Sequence, residues 1–362
     1  MFSRVRVLDL TTSFSAPRLK EGSRVCITGR PVFKNRRLDV ERRLQLFPLD
    51  QPSFPRGTTR SNYLISNLSQ QRMSGSEKTP EEIAAAAQQN AAFYLTEIPP
   101  SVDAARRLLE QYSGIAPADV DAHIRKIVSH PICSLAINPC RAHQKKQRDQ
   151  AWAVFPYGGI GSFSFLDFSS TLQNPQFQAV TARLTAPGST ETFLDVGCAF
   201  GTVVRQLMAE GVSGERLFGT DLQPRFLELG HELFRDAGSS RATFVAGDML
   251  KEGDTLLDVL DGRIDVIYAS AFFHLFEREG QVKAARRMVR FLNPRNPGAM
   301  IFGLNGGLKI DGWEKYVLDA ESWRGVWETV GEVTGTAWRT EMDVVESDEN
   351  CIRTRFSVYR AM

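Results

Sequence analysis

Between residues 193 and 303 the chain alternates short apolar runs with stretches whose apolar positions recur at helical spacing. That is the pattern of strands joined by helices. The runs are 193–196 (FLDV), 217–221 (LFGTD), 242–247 (ATFVAG), 264–270 (IDVIYAS) and 299–303 (AMIFG). Helices are expected over 202–207, 278–292 and 321–333, the last with Trp323, Val326, Trp327 and Val330 along one side, as a core-facing stripe. Residues 338–345 and 352–359, joined by Ser347-Asp348-Glu349-Asn350, read as an antiparallel hairpin closing the sheet. Upstream, Thr79-Pro80-Glu81-Glu82 combines a capping threonine, proline at the first helical position and a glutamate three residues after the cap. It opens a helix to about Leu95; a second begins at Ser101, and a third covers 118–127. The fold class is therefore α/β: a sheet with an antiparallel C-terminal hairpin and an N-terminal helical cap, which we expect to lie over the ligand end as a substrate-covering layer.

The polar positions at the ends of these runs carry the chemistry. Asp195 lies near the end of the first run, and Gly197 to Gly201 then turns the chain into a helix. Glycine lets backbone approach a ligand closely, and a helix start presents free N–H groups to it. A dinucleotide-binding turn needs G-x-G-x-x-G/A, whereas this turn has Ala199 at the second glycine position and Thr202 at the last. A plain strand–helix turn without a ligand is the bland reading. With Asp195, Gly197 and Gly201 so spaced, the stretch instead resembles the first motif of the class I S-adenosylmethionine (SAM)-dependent methyltransferases, which implies a Rossmann-like sheet and SAM as cofactor. Asp221 ends the second run 20 residues after Gly201, where a doubly wound fold places a ribose-binding carboxylate. Asp248-Met249 follows the third run, where these methyltransferases hold adenine between an acid and an apolar side chain. The candidate cofactor-binding residues are thus Asp195, Gly197, Ala199, Gly201, Asp221, Leu222, Asp248, Met249, Ala269 and Ser270.

Composition adds limits. At 362 residues, 42% apolar and 24% charged, the chain is ordinary for a globular protein. Its net charge of +2 hides an asymmetry: residues 1–72 hold 14 Lys or Arg against 5 Asp or Glu, so the remainder is acidic, at −7. An acidic catalytic part argues against a nucleic-acid substrate. No apolar stretch reaches 18 residues, no secretory leader is visible, and the five cysteines suit a reducing compartment; no membrane span and a cytoplasmic location are expected. Residues 1–78 show no sustained period and read as a disordered or mis-annotated extension, Met73 being an alternative start. Residues 128–147 interrupt the helical lead-in. They hold His130, Cys133, Cys140 and His143, a set that can satisfy zinc, but the tight central loop and two prolines argue against it. No metal is expected. The segment reads instead as a disordered insertion, beginning with Val and ending with Gln as a translated intron does.

With DVGCAFG, LFGTDLQPRFLELGHELFRD, ASAFFHLFEREGQVKAARRMVRFLNP and SWRGVWETVGEVTGTAW in view, the chain from about Thr79 to Val345 resembles the fungal methyltransferases of meroterpenoid and related secondary-metabolite pathways, such as those of terretonin, austinol and andrastin. The resemblance implies SAM-dependent O-methylation of a carboxyl group on a polyketide-terpenoid small molecule. It divides the chain into the extension, a cap and substrate region at 79–190, and a SAM-binding domain at 191–362; a homodimer is compatible with it. Gly158-Gly159 and Ser164 depart from the family's usual Pro-Cys and Arg, in the stretch that meets substrate.

The sulfonium of SAM is already a strong methyl donor, so the protein has to align acceptor, methyl and sulfur and exclude water. A carboxylate acceptor needs no base, whereas a phenol or alcohol benefits from one. His274, after the fourth run, is the candidate base, with orientation of substrate or simple packing as its other roles. Tyr157, Phe272 and Phe273 are the candidate walls of the substrate region. A catalytically inactive methyltransferase-fold subunit that binds a partner is the rival from another class.

Overall fold

The computed structural model describes residues 80–91, 95, 97–128, 149–308, 319–347 and 351–361, all within the unit Pro55–Met362. The whole 1–78 extension with the alternative start at Met73, and His130, Cys133, Cys140 and His143, lie outside the described residues.

Seven strands form one sheet: β1 (Phe193–Val196), β2 (Leu217–Asp221), β3 (Thr243–Ala246), β4 (Val266–Tyr268), β5 (Met300–Leu308), β6 (Trp338–Ser347) and β7 (Cys351–Arg360). Their order is β3-β2-β1-β4-β5-β7-β6. The first five run parallel; β7 pairs antiparallel with β5, and β6 antiparallel with β7. This is a doubly wound, Rossmann-like sheet with a C-terminal hairpin. β1 is buried at every position, as a parallel strand covered on both faces must be.

β5 runs five residues past the expected Gly303, because β7 gives Leu304 to Leu308 a ladder of partners from Arg355 back to Cys351. Propensity argues against strand at Gly306-Gly307; pairing overrides it. The opening helix, in turn, ends at Gln89 and stops short of Leu95.

One face of the sheet is covered by α10 (Arg278–Phe291) and α11 (Ala320–Thr334), whose Trp323, Val326, Trp327 and Val330 pack with Ile267, Ile301, Phe356 and Val358. The other face is covered by α7 (Pro175–Thr185), α8 (Thr202–Ala209) and α9 (Pro224–Phe234). The expected N-terminal cap consists of α1 (Pro80–Gln89), α2 (Asp103–Gln111) and α3 (Val120–Val128), followed by short α4 (Asp149–Val154), α5 (Gly158–Gly161) and α6 (Ser169–Gln173). Leu108, Leu109, Val120 and Ile124 share an apolar cluster with Phe200, Leu229, Leu233 and Phe234, so α2 and α3 dock on the flank of α8 and α9. It is the stretch 149–168 that brings aromatic side chains to the ligand end: Phe165 lies 4.4 Å from Phe200, and Tyr157 packs on Phe155 and Phe226. Among the described residues no helix is long and apolar enough to cross a membrane.

Candidate active site

Strand order reverses between β1 and β4, which leaves a crevice at their carboxyl ends; in open α/β sheets ligands bind there. The turn after β1 is left-handed at three alternate residues, Gly197 (φ 71°), Ala199 (46°) and Gly201 (64°). A Cβ on Gly201 would fall 2.5 Å from the Phe244 ring and 2.6 Å from Arg205 Nη1, so only glycine fits. Ala199 carries the strain of a side chain in this region, and its N–H donates to Asp221 Oδ2 at 2.9 Å. The N–H groups of Gly197 and Cys198 both donate to Thr220 O. The turn's donors are thus largely spent on the end of β2, where the sequence alone suggested that they face a ligand.

Two carboxylates share this crevice. Asp221 accepts from Ala199 N–H and, through Oδ1, from Gln223 N–H at 2.9 Å. Burial outweighs these bonds and pushes its pKa up to about 6. Asp195 is 5% exposed and has no hydrogen-bond donor among the described residues. Burial, and then the charge of Asp221, raise it well above the usual carboxylate range. Tyr157 packs on Phe155 and Phe226, and burial, then the Asp221 charge, push its hydroxyl pKa upward.

At the end of β3, Gly247 N–H donates to Asp221 O, which sets Asp248 and Met249 beside β2. Asp248 caps its own turn through Leu250 N–H, and Met249 is buried in the α10 side of the core. Leu222 is exposed. After β4, Ala269 is buried and Ser270 half-buried, and the Tyr268 hydroxyl lies 2.7 Å from Thr171 Oγ1. Phe272 lies against the first turn, 3.0 Å from where a Gly197 Cβ would be. Phe273 points the other way: fully buried, its ring sits 4.9 Å from Trp323 and 5.8 Å from Phe356. It belongs to the core, because the short 3-10 turn over Phe273–Leu275 sends consecutive aromatics in opposite directions. His274 keeps Nδ1 buried without a partner among the described residues, and burial drives its pKa down to about 4.

A methyltransferase-domain model matches residues 193–295. O-methyltransferase phiE of a fungal species is 36% identical over 282 residues, spanning 75% of this chain and 86% of the relative. The chain belongs to the SAM-dependent methyltransferases. O-methyltransferase atr3 of Stereocaulon alpinum (34% over 272 residues, 70% and 72% of the two chains) and the asnovolin E/chermesin D methyltransferase nvfJ of Aspergillus novofumigatus (34% over 245 residues, 66% and 79%) are further relatives.

The crevice of this methyltransferase suits SAM on its own chemistry. A cationic, hydroxyl-rich ligand meets two buried carboxylates, one of them without a donor among the described residues, beside a turn where an added Cβ would collide. Sequence reasoning missed four groups behind the turn: Arg205, His231, Asp236 and Tyr112. Arg205 could have been flagged as a cation on the apolar side of a predicted helix; the others carry no local signal.

Proposed function

We propose that the enzyme methylates a carboxylate oxygen of a small fungal secondary metabolite of polyketide-terpenoid type. The observation that carries this reading is the state of His274. A general base is most effective with a pKa near the working pH and with its second nitrogen oriented by a partner. His274 has its pKa pushed down to about 4 by burial, and its Nδ1 has no partner among the described residues. That histidine is a poor base for a phenol or alcohol, while a carboxylate is ionised at neutral pH and needs none. Kinship with phiE and atr3, both named O-methyltransferases, supports oxygen as the acceptor atom, and kinship with nvfJ supports the metabolite class.

When bound, SAM supplies an electrophilic methyl group on a sulfonium. Asp221 would hold the ribose hydroxyls, Asp195 the ammonium of the methionine portion, Asp248 and Met249 the adenine, and the Gly197–Gly201 turn would lie against the cofactor's middle. Tyr157 and Phe272 narrow the crevice and keep water from the methyl group. His274 orients the acceptor as a neutral hydrogen-bonding group. Among the described residues, 149–168 and the turn carrying Phe272 and His274 then face the acceptor, and β1 to β3 with the turns that follow them face the cofactor.

Methyl-labelled SAM offered with a panel of small carboxylic acids and phenols tests the reading. Labelled methanol released from product by mild alkali marks an ester; alkali-stable label marks an ether and overturns it. His274→Ala should leave the pH–rate profile flat between about pH 6 and 8 and lower turnover by less than the roughly 10² expected for loss of a general base.

A further inference from the structure

Behind the glycine turn, on the side away from the ligand, lies a buried polar network. Arg205 has no exposed surface and Asp236 is 2% exposed. Their pairing is bidentate, Nε to Oδ2 at 2.7 Å and Nη2 to Oδ1 at 2.9 Å. The remaining guanidinium nitrogen, Nη1, donates to Phe200 O at 2.7 Å and to Gly201 O at 3.3 Å, both within the turn. The guanidinium is sandwiched between the rings of Phe234 and Phe244, at 4.7 and 4.8 Å. Asp236 also takes Tyr112 OH at 2.9 Å and lies 2.7 Å from His231 Nδ1. Tyr112 sits at the end of cap helix α2, so one carboxylate joins the cap, α9 and, through Arg205, the cofactor turn.

A buried arginine–aspartate pair alone is weak evidence of a role, since apolar residues of similar volume often stabilise as well. The placement of Nη1 is what argues for one. It fixes the orientation of the Phe200 and Gly201 carbonyls, and the peptide planes they belong to define the turn. Gly230 of α9 closes the same spot from the other side: a Cβ there would lie 2.4 Å from Phe200 O. We propose that Arg205 is a positioning residue for SAM: its guanidinium, locked on Asp236, holds the Phe200 and Gly201 carbonyls in the binding conformation, and Tyr112 couples cap helix α2 to that hold. The proposal rests on SAM occupying the crevice above the turn.

Calorimetry with S-adenosylhomocysteine on the full chain tests it, comparing wild type with Arg205→Lys, Tyr112→Phe and Trp327→Phe, each with its thermal midpoint. Lysine keeps the charge facing Asp236 but has a single nitrogen and cannot span carboxylate and turn together. Arg205→Lys should weaken binding about tenfold, the size of one lost charge-assisted hydrogen bond, and Tyr112→Phe about two- to fivefold. The double variant should fall short of the product of the two, as coupled sites do. Trp327→Phe, which loosens the core on the opposite face, should lower the midpoint and leave affinity unchanged. Wild-type affinity in Arg205→Lys, or an equal loss in Trp327→Phe at matched midpoint, overturns the proposal. If Arg205→Lys does not fold, Tyr112→Phe decides alone, with unchanged affinity counting against it. Failure of the wild type itself to bind overturns the cofactor assignment beneath it.

Discussion

The two flanks of the crevice handle polar groups in opposite ways. On the β1–β2 flank, the carbonyls of Phe200 and Gly201, Arg205, Asp236 and Tyr112 are joined in one network, in which His231 Nε2 has no partner among the described residues. On the β4–β5 flank, His274 Nδ1 and both amide atoms of Asn305 are buried without partners among the described residues. Asn305, 3% exposed, lies on β5, which packs against the turn carrying His274. Paired groups fix a backbone shape in advance, whereas unpaired ones cost the free protein stability and are available to a ligand that completes them. On the function proposed above, the first flank is the preformed cofactor surface and the second keeps open valences on the acceptor side.

Breaking the paired flank should have the largest effect. Asp236→Ala strands the Arg205 charge in the core and should cost about 3 to 5 kcal/mol, read by urea unfolding. A loss below about 1 kcal/mol would mean the network is not what holds this flank. Gly197→Val comes next. It forces a branched side chain into φ 71° with its Cβ 3.0 Å from Phe272, which should remove about 2 kcal/mol of stability and most of the affinity for S-adenosylhomocysteine.

The pH dependence of Asp221 is smaller and has a definite sign. Its folded pKa of about 6 lies above the ordinary carboxylate value. The folded state therefore holds this proton more tightly than the unfolded state, and ionising Asp221 costs stability as pH rises through the interval up to about 6. Affinity runs the other way, because the charged carboxylate is the better acceptor. Binding of S-adenosylhomocysteine should weaken by up to about tenfold per unit as pH falls below 6, and Asp221→Asn should remove that slope.

The smallest change sharpens the contrast. Asn305→Leu replaces an unpartnered buried amide with an apolar group of similar size, and should leave stability unchanged or raise it by about 1 kcal/mol while lowering turnover. A loss of more than about 2 kcal/mol would show that the amide is satisfied after all and that the flanks do not differ.

Much of this protein was legible in the amino-acid order. The apolar runs placed all five parallel strands to within a few residues, the two strands of the hairpin were named, and Trp323, Val326, Trp327 and Val330 were read as core. Asp195, Gly197, Ala199, Gly201 and Asp221 could be named as one crevice because strand period, glycine turns and acids at strand ends are written over a few neighbouring residues. The direction of Phe273 could not be read, since a single 3-10 turn decides it. Nor could the docking of α2 and α3 beside α9, which depends on apolar faces meeting across the chain. The network behind the turn was equally invisible. Asp236 meets Arg205 across 31 residues and Tyr112 across 124, and no local period records such a meeting. Sequence determined the elements and the chemistry at their ends, because those follow from backbone sterics and short-range pattern; tertiary structure alone decided which polar groups are paired and which are left open, because burial and hydrogen-bond partners exist only once distant segments are packed together.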